Sequence, residues 1–137
     1  MSHENVETVR AALEAFRRGD VEEALQRVHP EMVSTRVDPD GAVFHGRDGL
    51  MALMADWTEG FDEWSYRAEE FFDAGDRVVV RLHQWGRGAG SGVPVAGDYW
   101  LTYLVEDGMV TRFSIFTDRE QAFAWAGLSS EAARPSR

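Results

Sequence analysis

Residues 77–85 read RVVVRLHQW. Successive residues of a strand point to opposite faces, so this run has two sides. Val78, Val80, Leu82 and Gln84 form one, and Val79, Arg81, His83 and Trp85 form the other. An arginine, a histidine and a tryptophan in one row resemble a site, whereas three aliphatic residues and a glutamine resemble the wall of a pocket. Which side faces inward decides how the fold is read and which residues compete for function.

The segments around this strand have clear periods. Upstream, ENVETVRAALEAFR (4–17) places Val6, Val9, Leu13 and Phe16 on one helical face. Gly19 ends that helix, and Asp20 with Glu23 opens a second, expected to run through DVEEALQRVH until Pro30 stops it. EMVSTRV (31–37) reads as a strand, DPDG (38–41) as a turn, and AVFH as a short strand. RDGLMALMADWTEGF is a third helix with Leu50, Leu53, Met54, Trp57 and Phe61 inward. EWSYRAEEFFDAG, RVVVRLHQW, VAGDYWLTYLV and MVTRFSIFT form a four-strand meander, with tight turns at DAGD and EDG. DREQAFAWAGL is a short closing helix ended by Gly127. These elements predict one α+β domain over residues 1–128: a curved, mainly antiparallel sheet forming a cone, closed by three N-terminal helices plus a short C-terminal helix. The tail 129–137 lacks an apolar anchor and is expected to be disordered.

Composition narrows the function classes. The 137 residues carry 14 Lys+Arg against 24 Asp+Glu, a formal net charge of −10, which disfavours nucleic acid and anionic membranes as partners. There is no cysteine, so disulfides and thiolate chemistry are excluded. The N-terminus lacks a secretory pattern and no apolar run could span a bilayer, so a cytoplasmic location is expected. No phosphate loop or metalloprotease motif is present, and GRGAGSG (86–92) lies between strands as a hairpin tip. The histidines at 3, 29, 45 and 83 have no ligand spacing, so neither a metal nor a cofactor is expected.

AFRRGDVEEALQRVHPEM, HGRDGL, FFDAGDRVVV, the EDG hairpin and DREQAFAWAGL, taken in this order, resemble the SnoaL-like proteins of the nuclear transport factor 2-like superfamily. The superfamily also holds ketosteroid isomerase, limonene-epoxide hydrolase and scytalone dehydratase. The resemblance covers about residues 4–128 and implies a cone-shaped α+β fold, a pocket in the cone and a homodimer. Activity does not follow, because the superfamily hosts unrelated chemistries. Carried over position by position, the isomerase tyrosine falls on Ala12, its carboxylate base on Arg36 and its oxyanion-hole aspartate near Leu101. None of those groups is present. The Asp-Arg-Asp arrangement of the epoxide hydrolase finds no clear match, although Arg36 could supply one member.

The same resemblance implies a register. Val78, Val80, Leu82 and Gln84 fall on the concave side, with Tyr99, Leu101 and Tyr103 of the next strand and Thr111, Phe113 and Ile115 of the last. Arg81, His83 and Trp85 fall on the convex side, the expected dimer face, and Trp and Arg are indeed enriched at interfaces. A slip of one residue would invert every assignment.

The expected ligand pocket therefore comprises Ser34, Arg36, Trp57, Val80, Leu82, Gln84, Tyr99, Leu101, Tyr103 and Phe113. Arg36 could hold a carboxylate or enolate, or pair with an acid such as Asp38 or Glu63. Ser34 shares its face and could bond a ligand or its own sheet. Tyr99 and Tyr103 could donate to a carbonyl or pack as core aromatics. Asp98 and His45 could serve as bases at the mouth, or be solvated surface groups, and His29 suits a helix end. Trp57 and Trp125 are expected to cover the cone. No catalytic residue is assigned. Three functions remain open: a pocket for a small hydrophobic or aromatic metabolite, with or without cofactor-free acid–base chemistry; a non-catalytic binding or dimerisation module; and an epoxide-hydrolase-like enzyme built around Arg36.

Overall fold

A computed structural model describes residues 2–36 and 41–128. Helix α1 spans Ser2–Arg17 and buries Val6, Val9 and Leu13. Gly19, at φ 84°, turns the chain out of it. The Asp20 carboxylate then accepts from the Glu23 amide at 3.1 Å and caps α2, Val21–Leu25. That helix is half the expected length. Val28, His29 and Pro30 belong instead to strand β1, Val28–Arg36, because burying Val28 beside Val110 outweighs continuing the helix. His29 is thus a strand residue, and its Nδ1 accepts from the Glu31 amide. Residues 38–40 of the turn expected at 38–41 and the tail 129–137 lie outside the described residues.

Strand β2 (Val43–His45) folds back on β1, and α3 (Gly46–Thr58) follows directly. Phe61, expected inside that helix, opens β3 (Phe61–Ala74) instead. The meander continues through β4 (Arg77–Gly88), β5 (Pro94–Glu106) and β6 (Met109–Phe116). Helix α4 (Arg119–Ala126) is capped by Asp118 and ends at Gly127, φ 76°. The strand order is β2-β1-β6-β5-β4-β3, antiparallel except where β1 runs parallel to β6. No helix among the described residues is long and apolar enough to cross a membrane.

The curved sheet has two unequal cores. On its concave side, Val78, Val80, Leu82, Leu101, Tyr103 and Phe113 pack with residues of α1 and α3. On its convex side a smaller cluster joins Phe72, Val79 and Phe116 to Ala122 and Phe123 of α4. Trp125 belongs to this second cluster, with the Arg77 guanidinium 4.5 Å from its ring, so it does not cover the cone. Bulges adjust the wall. One in β6 puts Val110 opposite Val105 on the concave face, displacing Thr111 from the inward position expected for it. Another, between Asp62 and Ser65 of β3, brings that backbone so close to β4 that a Cβ on Gly86 would lie 3.2 Å from the Trp64 Cα.

The cone and its polar groups

Inside the cone lies a cavity of about 60 Å³. Leu82, Tyr99, Leu101, Tyr103 and Phe113 of the sheet line it, with Trp57 from α3. Other parts of the lining were not among the expected pocket residues, including Leu13 and Phe16 from α1, Met54 from α3, and Trp64 and Tyr66 from β3. Helical period marked the first three as inward, but only the packed structure shows that they reach the cavity. Four expected pocket residues stand behind this surface. Val80 is fully buried in the wall, and Ser34, Arg36 and Gln84 are not part of the lining.

Gln84 has a structural role that its place in the sequence does not reveal. Its Oε1 accepts from the indole nitrogens of Trp57 at 2.8 Å and Trp64 at 2.9 Å. Two N–H donors on one atom require that atom to be the amide oxygen. One buried glutamine thereby ties α3 to β3 and fixes two aromatic rings of the cavity wall. Trp57 also meets Tyr99 edge to face at 4.9 Å.

Three phenols face the cavity, and one of them donates to a protein acceptor. The Tyr66 hydroxyl donates to the Leu13 carbonyl at 2.8 Å, and burial holds its pKa well above the ordinary phenol value. Burial also raises that of Tyr103, with a smaller contribution from Tyr66, and its hydroxyl, which faces the cavity, takes part in none of the side-chain hydrogen bonds among the described residues. Tyr103 is therefore a neutral donor without a protein acceptor in an apolar chamber. The Tyr99 hydroxyl is likewise unbonded among the described residues. No aspartate, glutamate, histidine, lysine or arginine contributes to the lining.

Arg36 sits at the edge of the cone. Its Nη1 donates to the Asp56 carboxylate, and its guanidinium carbon lies 5.4 Å from the centre of the Trp57 ring. The Asp56 side chain is 43% exposed and outside the cavity lining, so the pair is not a carboxylate–arginine site within the chamber. His45 is exposed at the start of α3.

The convex face carries a separate network. Arg81 donates to Glu70 at 2.7 Å and to Asp98 at 2.8 Å, and His83 Nδ1 lies 2.7 Å from the other Asp98 oxygen. The Trp85 ring stacks on His83 at 5.8 Å and is 39% exposed. Asp98 thus lies on the back of the sheet rather than at the mouth of the cone. The bond from His83, with a further one from Arg81, holds its carboxyl below the usual aspartate pKa. No cluster of histidine and carboxylate side chains that could hold a metal exists among the described residues.

Comparisons with other proteins agree with this architecture. The sequence pattern of the SnoaL-like domain matches residues 9–113. A nuclear transport factor 2-like protein of unknown function from Burkholderia pseudomallei is 24% identical, with a TM-score of 0.73 over 88% of this chain and 95% of its own. TerC, crystallised with polyporic acid, is 23% identical, with a TM-score of 0.73 over 90% of this chain and 98% of its own. A candidate SnoaL-like polyketide cyclase from Jannaschia sp. CCS1 is 26% identical, with a TM-score of 0.71 over 85% of this chain and 86% of its own. The search of curated proteins returns no match.

Proposed function

We propose, from the premise that this chain belongs to the SnoaL-like domain family, that its cone binds a small hydrophobic or aromatic molecule bearing a carbonyl group. The observation that carries this reading is the unbonded Tyr103 hydroxyl in an otherwise apolar chamber. A buried hydroxyl without a partner is costly, and a ligand carbonyl would supply the acceptor. TerC, a protein of similar fold, was crystallised with polyporic acid.

Binding rather than proton abstraction fits the lining. A general base must reach the proton that it removes, and no carboxylate or imidazole lines the chamber. Both buried phenols are held neutral, so they donate hydrogen bonds and do not act as bases. A free volume of about 60 Å³ is well below the ~150 Å³ of an engineered apolar cavity that admits benzene. Entry of an aromatic ring therefore requires wall side chains to move, and Met32 and Met54 are the most adaptable of them. The molecule would act as a homodimer through the convex row Arg81, His83 and Trp85, in the cytoplasm.

A matched pair of probes tests the reading. Acetophenone and ethylbenzene have nearly the same shape, but only the first has a carbonyl. Acetophenone should quench tryptophan emission saturably and bind about fivefold more tightly than ethylbenzene, the factor that one net hydrogen bond supplies. Tyr103→Phe should erase the difference. Absence of saturable binding by either compound would overturn the proposal.

A further inference from the structure

Two buried donors that the cavity lining does not include sit side by side on β1. The hydroxyl of Ser34, fully buried, and the Nε of Arg36, also buried, both lack a hydrogen-bond partner. They are two residues apart on one strand and therefore share a face, with their Cα atoms about 6.7 Å apart. That face is the concave one. In the sheet register Ser34 lies beside Phe113, which lies beside Tyr103, and Arg36 lies beside Ile115, which lies beside Leu101. Phe113, Tyr103, Ile115 and Leu101 all line the cavity. The two orphaned donors thus continue, on β1, the rows that build the chamber wall.

The guanidinium is only half used. A carboxylate binds arginine most strongly across two parallel N–H groups, and Nε with Nη2 forms one such edge. Asp56 engages Nη1, on the opposite edge, and the Trp57 ring flanks the group. Asp56 therefore steadies Arg36 from the solvent side and leaves the buried Nε without an acceptor.

We infer that, once wall side chains move to admit a ligand, the Nε edge of Arg36 and the hydroxyl of Ser34 form a seat for an anionic carboxylate, so that the preferred ligand of the cone is an aromatic carboxylic acid in its ionised form. The inference rests on the cone being a ligand site, and it adds the charged end of the ligand. Asp56 is a positioning residue, because it holds the guanidinium without touching the ligand. In a protein of net charge −10, attraction for an anion must come from a local group of this kind.

Benzoate and acetophenone are isosteric probes that separate the two claims. The native protein should bind benzoate at least about tenfold more tightly than acetophenone near neutral pH, since a bond to an ionised group is worth more than a neutral one. Arg36→Met should abolish that preference while leaving acetophenone binding in place. Arg36→Lys retains the charge but lacks the fork, and should also lose most of the preference. Ser34→Ala, a mild change that preserves folding, should weaken benzoate about threefold and acetophenone hardly at all. Acetophenone binding as tightly as benzoate in the native protein would overturn the carboxylate seat and leave the apolar pocket standing. Failure of both probes to bind would overturn both. An unchanged benzoate preference in Arg36→Lys and Ser34→Ala would also sink the inference.

Discussion

The two faces of β4 handle polar groups in opposite ways. On the convex face, Arg81 meets Glu70 and Asp98, and His83 meets Asp98, so the charges of this row answer one another at the half-exposed surface. On the concave face one polar group, Gln84, is shared by two indoles, and another, the Tyr103 hydroxyl, is left without a protein partner. A paired network near solvent is complete in itself and contributes little energy per pair. An unpaired donor in an apolar chamber is expensive and calls for an occupant. The row of charges is thus conspicuous in the sequence, while the incomplete chemistry is on the plainer side.

The sharpest way to break this contrast is to move a charge across the sheet. Val80→Asp would bury a carboxylate in the apolar concave wall, and should cost about 4 kcal/mol or more, read as a lowered urea midpoint. Next in size is Gln84→Leu, which removes one acceptor from two indoles. Each orphaned donor costs about 1–3 kcal/mol, so a loss of about 2 kcal/mol or more is expected, with altered emission from Trp57 and Trp64.

The smallest effect belongs to the convex row. His83→Ala should change stability by less than about 1 kcal/mol, and weaken self-association, measured by sedimentation, more than it weakens probe binding. The pH response has a definite sign. Asp98 has a depressed folded pKa, so its contribution is present above the ordinary aspartate value and is lost as pH falls through the folded one. Without His83 that loss should begin at a higher pH, shifting the acid unfolding limb slightly upward.

Much of this was legible in the sequence because alternation and helical period report burial directly. RVVVRLHQW has one buried and one half-exposed row because Val78, Val80 and Leu82 could pack only under helices. Glycines at turns and Gly127 marked ends for a stereochemical reason: their φ is positive. What stayed hidden depends on partners distant in the chain. The second helix stops early because Val28 finds Val110, 82 residues further on, and no local pattern announces that pairing. Thr111 leaves the wall because a bulge shifts β6 against β5. Asp56 as the partner of Arg36 was unreadable for the same reason, since a helix residue and a strand residue meet only after α3 folds over β1. The clasp on Gln84 likewise needs α3, β3 and β4 together.

The parallel pairing of β1 with β6 has a consequence for how the molecule is made. Antiparallel neighbours β3, β4 and β5 can zip through short turns as soon as they emerge from the ribosome, whereas β1 must wait for almost the whole chain to be synthesised. Until then the strand bearing Met32, Ser34 and Arg36 can pair only with the short β2. Assembly of the cone is therefore the late event of folding, and translation that halts before residue 109 leaves a meander without the β1 part of its wall.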